Sequence, residues 1–505
     1  MGNSVRGFFP VVAVAVALSV VLGAAGAPSS TLSAIQLELG DLLFADERYG
    51  EAIPAYRRAK EGAEPGQLVR ASSGLLRALL LVAEFHGAYE EAVFLDSLDI
   101  ADDPELRTLA ADGFWSYGLF AEADAKYDEV LTRAPSNARA RHGMARSLAA
   151  RSRHEEALTE IQAALAVDSA DPVLHHTHAE ILRGLRRYEA AAEALEQYID
   201  VSPKIRESRQ TEWARSEARF LRSFGERVPF EMPRAGEVHT LPFRLVRDKI
   251  VVRGRINGGE PVELVVDSGA EQMVLSQEVA ENAGVRAITQ TVSAGVGEVG
   301  LRGLDFGRVD SLEIGSFEVR NIPAIIKNPP LALAGLPSPR VPDSISPIAF
   351  GLSAIIDYRN SHLILAEDLP DEPADVELPM RVQRLAVVRG VVNGDHPKSF
   401  VVDTGGEVIS ISLGTAAALR VIPTRHIPLR VFGTSGWDKD AFLLPGVNLA
   451  FREIEYDNFS VVVLNLHRPS ALIGFHIGGI IGHDFLQHYR VTMDLNRSTL
   501  RLNRY

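Results

Sequence analysis

Cysteine is absent from all 505 residues, which excludes disulfides, thiolate metal sites, a cysteine nucleophile and lipid attachment through an N-terminal thiol. Clusters of lysine and arginine are also lacking. With a formal net charge of −14, the chain has no footprint for a phosphate backbone, so no nucleic-acid partner is expected. No His-Glu-x-x-His pair, Gly-x-Ser-x-Gly elbow or phosphate-binding Gly-Lys-Ser/Thr loop occurs, which leaves zincin, serine-hydrolase and P-loop chemistry without a signature. Beyond residue 25, no run is long and apolar enough to span a bilayer.

What is present begins with length: 505 residues exceed what one core supports, so several domains are expected, and 46% hydrophobic with 23% charged residues is a globular composition. The chain opens Met-Gly-Asn-Ser-Val-Arg6, runs uncharged and apolar over residues 8–25, and reaches Ala25-Gly26-Ala27. This pattern predicts an export signal at residues 1–27 and a periplasmic or extracellular protein. The segment is either cut near Ala27 or retained as an N-terminal membrane anchor.

Residues 30–225 are rich in Ala, Leu, Glu and Arg, a helical composition. Small residues recur twelve apart at Gly40/Ala52, Ala111/Ala123, Ala145/Ala157 and Ala179/Ala191, and the last three pairs step by 34 residues (157 − 123 = 191 − 157 = 34). Together with Tyr49-Gly-Glu-Ala52, Phe120-Ala-Glu-Ala123 and Tyr188-Glu-Ala-Ala191, this resembles the tetratricopeptide repeat (TPR) family. The reading gives roughly five units, the one at Tyr89-Glu-Glu-Ala92 being off period, with a polar-faced cap over residues 206–224. The resemblance implies an all-α solenoid whose groove takes a protein partner or peptide, or else a bare spacer. His175, His176 and His178 fit surface positions better than a metal site. Residues 226–238 carry the proline and glycine of a linker.

After the linker the pattern becomes short β runs with turns, and it occurs twice. Lys249-Ile-Val-Val-Arg-Gly-Arg-Ile, the turn Asn257-Gly258-Gly259 and Val262-Glu-Leu-Val-Val-Asp267 are answered by Leu385-Ala-Val-Val-Arg-Gly-Val-Val, Asn393-Gly394-Asp395 and Ser399-Phe-Val-Val-Asp403. The two aspartates lie 136 residues apart (403 − 267 = 136), each opening an Asp-hydroxyl-Gly triplet behind an apolar run. A duplicated lobe is predicted, 239–370 and 371–505. These residues, with Gly479-Ile-Ile-Gly482, resemble the retropepsin-like aspartic proteases, in particular exported bacterial proteins with both lobes in one chain. The resemblance implies a multidomain protein in which an all-α TPR solenoid precedes an all-β, two-lobed pepsin- or retropepsin-like domain.

It implies further that Asp267 and Asp403 form a catalytic dyad, that Ser268 and Thr404 brace the two loops, and that Gly269 and Gly405 pass close to the pseudo-twofold axis. Flap hairpins are expected around Gly295 and Gly297, and around Gly433 and Gly436. The substrate is a peptide or protein, and no cofactor or metal is called for. His476, His483, Asp484 and His488 match no standard ligand spacing and read as ordinary loop residues. One departure stands out: where the first lobe should repeat Gly479-Ile-Ile-Gly482, it reads Asp343-Ser-Ile-Ser-Pro-Ile-Ala-Phe-Gly351, so the element is degenerate or displaced to Ala349-Phe350-Gly351. The Pro-rich stretch 328–342 reads as a mobile loop. A non-catalytic TPR scaffold whose lobes only bind peptides is the alternative.

Overall fold

The structure, a computed structural model, describes residues 29–98, 100, 102–203, 209–293, 302–327, 342–394, 396–419, 427–433 and 436–505. The expected export segment, the flap residues Gly295 and Gly297 and most of the Pro-rich stretch 328–342 lie outside these residues. Among the described residues no helix is long and apolar enough to cross a membrane. The chain divides into two compact units, Met1–Gly113 and Phe114–Tyr505.

The first unit holds two helical hairpins, Ser29–Ala45 with Tyr49–Ala59 and Pro65–Leu81 with Phe85–Asp96. Helix approach is set by Tyr56, fully buried, whose ring packs where the chain has no side chain. A Cβ at Gly40 or Gly74 would come within 2.7 or 2.5 Å of that ring. The off-period repeat folds as the others do: Ala92 is fully buried in Phe85–Asp96.

In the second unit the repeat continues with Phe120–Arg133, Ala138–Ala149, His154–Val167, Pro172–Gly184 and Tyr188–Val201, followed by Arg209–Arg222. Asn137 and Asp171 cap their helices, accepting from Ala140 N at 2.7 Å and Val173 N at 2.8 Å. The tight turn inside each hairpin needs a left-handed residue, and Gly118, Ser152 and Arg186 supply it at φ of 84°, 60° and 60°, spaced by 34. Helical pairs thus sit where the 34-residue period places them.

The β part repeats one sheet order twice. In the first lobe the neighbours run Arg244–Val246, Lys249–Ile256, Pro261–Val266, Ser344–Ile345, Met273–Ser276, Phe317–Lys327, Arg302–Ile314, Ala287–Ser293. In the second they run Val376–Gln383, Leu385–Val392, His396–Val402, Gly479–Ile481, Ser410–Ser412, Ile454–Leu464, Phe442–Phe451, Ile427–Pro428. Both hairpin turns are of the kind Asn-Gly favours, with Asn257 and Gly258 at φ 52° and 69° and Asn393 and Gly394 at 48° and 78°. The lobes also share a sheet. His239–Pro242, His362–Ala366 and Ser353–Asp357 of one continue through Ala354↔Met493 into Tyr489–Asp494, Thr499–Arg504 and Val376–Gln383 of the other. One apolar core, including Ile250, Val266, Phe317, Phe400, Val402 and Phe485, runs through both lobes.

The helices from Phe120 onward are not separate from the lobes, in contrast to the expected boundary at 226. Their hairpin turns dock edge-on. His476 N donates to Ser116 O at 2.7 Å, Ser399 Oγ to Gly118 O at 2.9 Å, Val382 N to Ala150 O at 2.7 Å, and Ser498 Oγ to Arg151 O at 2.8 Å. Arg186 donates to Phe350 O at 2.8 Å in the first lobe. Arg381 and Arg389 of the second lobe pair with Asp124 and Glu122 at 2.8 and 2.6 Å. The final helix has the expected polar face, with Glu212, Arg215, Arg219 and Arg222 exposed, but its buried side also meets the first lobe, where Phe220 stacks on Phe306 at 4.8 Å. The expected linker is also held, since Glu231 bridges Arg320 and Phe230 packs near Phe350.

Lys398 is buried in this interface, 2% exposed, over the Tyr117 ring and hydrogen-bonded to its hydroxyl. Burial lowers its pKa from the usual 10.5 to about 8. The unfolded chain therefore binds more protons than the folded one between about pH 8 and 10.5, so stability rises with pH across that window and the full penalty applies below it. Lys398→Met is expected to raise stability at pH 7 by about 1–2 kcal/mol and to flatten that rise, as read by thermal melts at pH 7 and pH 10. A lower melting temperature at pH 7 would mean that the ammonium, not its removal, stabilises the interface.

Candidate active site

Each aspartate sits at the end of an apolar strand that is paired in parallel with a second, later one. Asp267 N donates to Ile345 O at 2.9 Å and Asp403 N to Ile481 O at 3.0 Å. The first lobe's supporting element is therefore in register. Val266 pairs with Ile345 as Val402 pairs with Ile481, so Ser344-Ile345-Ser346 stands where the second lobe has Ile480-Ile481-Gly482, and the reading that moved it to Ala349-Phe350-Gly351 is corrected. The substitutions are local. A Cβ on Gly482 would lie 2.7 Å from Val408 O, whereas Ser346 is accommodated, buried, with its hydroxyl lacking a partner in the described structure. Where Ser412 N donates to Gly478 O at 2.8 Å, Ser276 N donates to the Asp343 carboxylate at 2.5 Å. That side chain thus replaces a main-chain acceptor.

The two triplets interlock across the lobes. Ser268 N donates to Thr404 Oγ1 at 3.0 Å while Thr404 Oγ1 donates to Val266 O at 2.8 Å. Reciprocally, Thr404 N donates to Ser268 Oγ at 3.0 Å and Ser268 Oγ to Val402 O at 2.7 Å. Both hydroxyls are buried, so the four bonds act in a low-dielectric setting where losing one partner is costly. Each glycine leaves room for the opposite carboxyl: a Cβ on Gly269 would meet Asp403 Cγ at 2.5 Å, and one on Gly405 would meet Asp267 Cγ at 2.5 Å. Asp267, Asp403 and the four residues Ser268, Gly269, Thr404 and Gly405 thus meet at one place between the lobes.

Both aspartates are partly buried. Burial raises both pKa values first. For Asp267, the charge of Asp403 and a hydrogen bond with it add to the rise, pushing it up to about 7, against a lowering by Lys327 and the Gly269 N–H. For Asp403 the rise is opposed by more groups: the N–H groups of Gly406 and Gly405, the hydrogen bond with Asp267, and the charge of Lys249. Gly405 N and Gly406 N both lie 2.8 Å from Asp403 Oδ1, whereas Asp267 Oδ1 accepts from Gly269 N at 2.9 Å. Two carboxyls sharing a proton in this way can activate a water and polarise a carbonyl.

Of the expected flaps, Gly433 and Gly436 pair with each other in the hairpin of Val431–Gly433 and Gly436–Asp438. His488 is an exposed turn residue as expected, whereas His175 and His483 are buried. His175 is buried with Nε2 2.9 Å from Ser169 O, His176 lies beside Trp213 and Tyr198, and burial and His175 lower the pKa of His178. His476 stacks on Tyr117 at 5.4 Å and His483 is fully buried beside Tyr358. Among the described residues no group of three or more His, Asp or Glu could hold a metal ion. Sequence reasoning missed Lys249, which hydrogen-bonds Gly405 O across the lobes. Its only local signal was a charge beside a hairpin turn.

Residues 252–336 match the family model described as "gag-polyprotein putative aspartyl protease". No curated protein matches the chain. Solved structures similar to its helices include YrrB, a TPR protein with an unusual peptide-binding site (16% identity, 34% of this chain and 87% of that chain, TM-score 0.24). A thermophilic TPR protein of Thermus thermophilus, TTC0263 (19%, 34% and 93%, TM-score 0.29), and a tetratricopeptide repeat protein from Parabacteroides merdae (15%, 42% and 80%, TM-score 0.33) are also similar. The chain thus combines helical hairpins on a 34-residue period with two β-rich lobes of the same sheet order, and the match to the aspartyl protease model falls in the first of those lobes.

Proposed function

We propose that the protein is an exported aspartic endopeptidase. The observation that carries this reading is the reciprocal clasp of Ser268 and Thr404, which holds two enclosed carboxyls close enough to hydrogen-bond to each other. A water held between Asp267 and Asp403 gives one proton to the ionised carboxylate as its oxygen bonds to the peptide carbonyl carbon, and the protonated partner donates to the carbonyl oxygen. Collapse of the resulting diol breaks the C–N bond as a carboxyl proton passes to the leaving nitrogen. Export is supported by the apolar stretch 8–25 behind Arg6. The tetratricopeptide-type repeats are the part suited to recruit a protein substrate or partner.

The test is the full chain incubated with an unfolded protein between about pH 3 and pH 8, with and without a peptide carrying a hydroxyl in place of the scissile carbonyl. Cleavage fastest on the acid side of neutrality and blocked by that peptide is expected. Binding of the peptide without cleavage at any pH would instead make the lobes a peptide-binding module.

A further inference from the structure

The two lobes repeat one another closely enough that a single unlike residue near the dyad has consequences. Across the pseudo-twofold, the glutamates four residues after each catalytic aspartate, Glu271 and Glu407, each meet a cation from the first hairpin of the opposite lobe: Arg384 at 3.4 Å from Glu271, Lys249 at 3.5 Å from Glu407. The two cations do not do the same thing. Lys249 goes further than its ion pair and places Nζ on the carbonyl of Gly405, inside the Asp403 triplet itself. Position 249 answers to Leu385 under the 136-residue offset (249 + 136 = 385), so the lysine has no counterpart aimed at the Asp267 triplet.

Resting on the peptidase reading above, we propose that Lys249 is the positioning residue that breaks the symmetry of the dyad, fixing Asp403 as the ionised general base and Asp267 as the carrier of the proton. By holding the Gly405 peptide, Lys249 keeps the N–H groups of Gly405 and Gly406 pointed at Asp403 Oδ1, both at 2.8 Å, and adds a positive charge on that side. Asp403 thus has two N–H donors and the charge of Lys249, whereas Asp267 has one N–H from its own triplet and the charge of Lys327, so the second N–H held by Lys249 through the Gly405 peptide is what sets the two apart.

The groups facing Lys249 are Glu407 and Asp403 of the opposite lobe and His483, behind which stand Asp248 and Asp484. Lys327 faces Asp267. His483 is desolvated and its pKa is lowered, so it does not supply the charge that Lys249 does. In the reaction, the water proton goes to Asp403, the Asp267 proton goes to the carbonyl oxygen, and Asp403 returns its proton to the leaving nitrogen.

Two measurements on the full chain test this. In the first, the pH profile of kcat/KM is compared for wild type, Lys249→Met and Lys249→Arg. The acid limb should move up by about one pH unit in the Met variant with KM little changed, and return in the Arg variant. The second needs no turnover: in protein labelled with carbon-13 at the aspartate carboxyls, the lone Asp403 of Asp267→Asn should titrate below the lone Asp267 of Asp403→Asn, and adding Lys249→Met should erase the gap. Equal or reversed titrations, or an unmoved acid limb in a folded Lys249→Met, would overturn the proposal. A clear gap in a chain that cleaves nothing would leave the assignment standing and remove the peptidase reading instead.

Discussion

Asp267→Asn and Asp403→Asn are each expected to lower peptide hydrolysis by at least about 10³-fold, because a lone carboxyl cannot both accept the water proton and donate to the carbonyl. The fold should survive, since the clasp runs through Ser268, Thr404 and main-chain carbonyls and not through the carboxyls. Stability should change with a defined sign. Asp267 has its pKa raised from the usual 3.8 to about 7, so the folded chain binds more protons than the unfolded one between those values. The stability this group contributes is present below about pH 4 and is lost as pH rises through about 7. Asp267→Asn should therefore be more stable than wild type near pH 8, by on the order of a few kcal/mol, and show no advantage near pH 4. Thermal melts at the two pH values, beside the cleavage assay, check both halves. Undiminished cleavage by either variant would sink the dyad.

Removing the helices should be nearly as damaging as removing a carboxyl. A fragment of residues 226–505 loses the docking turns at Ser116, Gly118, Ala150 and Arg151 and the contacts of Arg186. It also uncovers Phe306 and Phe475, which pack on Phe220 and Phe120. Exposing such rings costs at least a few kcal/mol, a large part of the margin of a typical domain, even though freeing the Lys398 ammonium gives some of it back. The fragment is expected to be largely insoluble, or to bind substrate mimics at least tenfold more weakly than the full chain. Soluble expression, melting and inhibitor affinity read the effect. A fragment as stable and active as the whole would mean the helices serve recruitment alone.

The parts of the molecule legible in the sequence are those whose signal is local. The 34-residue step of Ala123, Ala157 and Ala191 is read from small residues where helices approach, and Asn257-Gly258 and Asn393-Gly394 announce their turns by backbone chemistry. The dyad is legible for the same reason, because the hydroxyl and glycine that follow each aspartate are dictated by the opposite loop lying against them. What escaped has its cause elsewhere in the chain. Ser344-Ile345-Ser346 looks degraded as a string, yet backbone pairing does not depend on the side chains that changed, and Ile345 O still receives Asp267 N. Ser152 and Arg186 adopt left-handed backbone without being glycine, while Gly118 must be glycine because Ser399 lies against it. Such contacts between distant segments, like the reach of Lys249 to Gly405, leave no mark in a window of neighbouring residues.

The strand pairing that joins Ala354 to Met493 bears on how a polypeptide gets in and out. Two halves stitched by a continuous hydrogen-bonded ladder, and gripped along one side by helical turns that touch both, cannot swing apart like jaws without tearing bonds in each. Threading and release must then fall to small elements outside the ladder, such as the short hairpin of Val431–Gly433 and Gly436–Asp438. Turnover would then be paced by such elements, with the two halves fixed against each other.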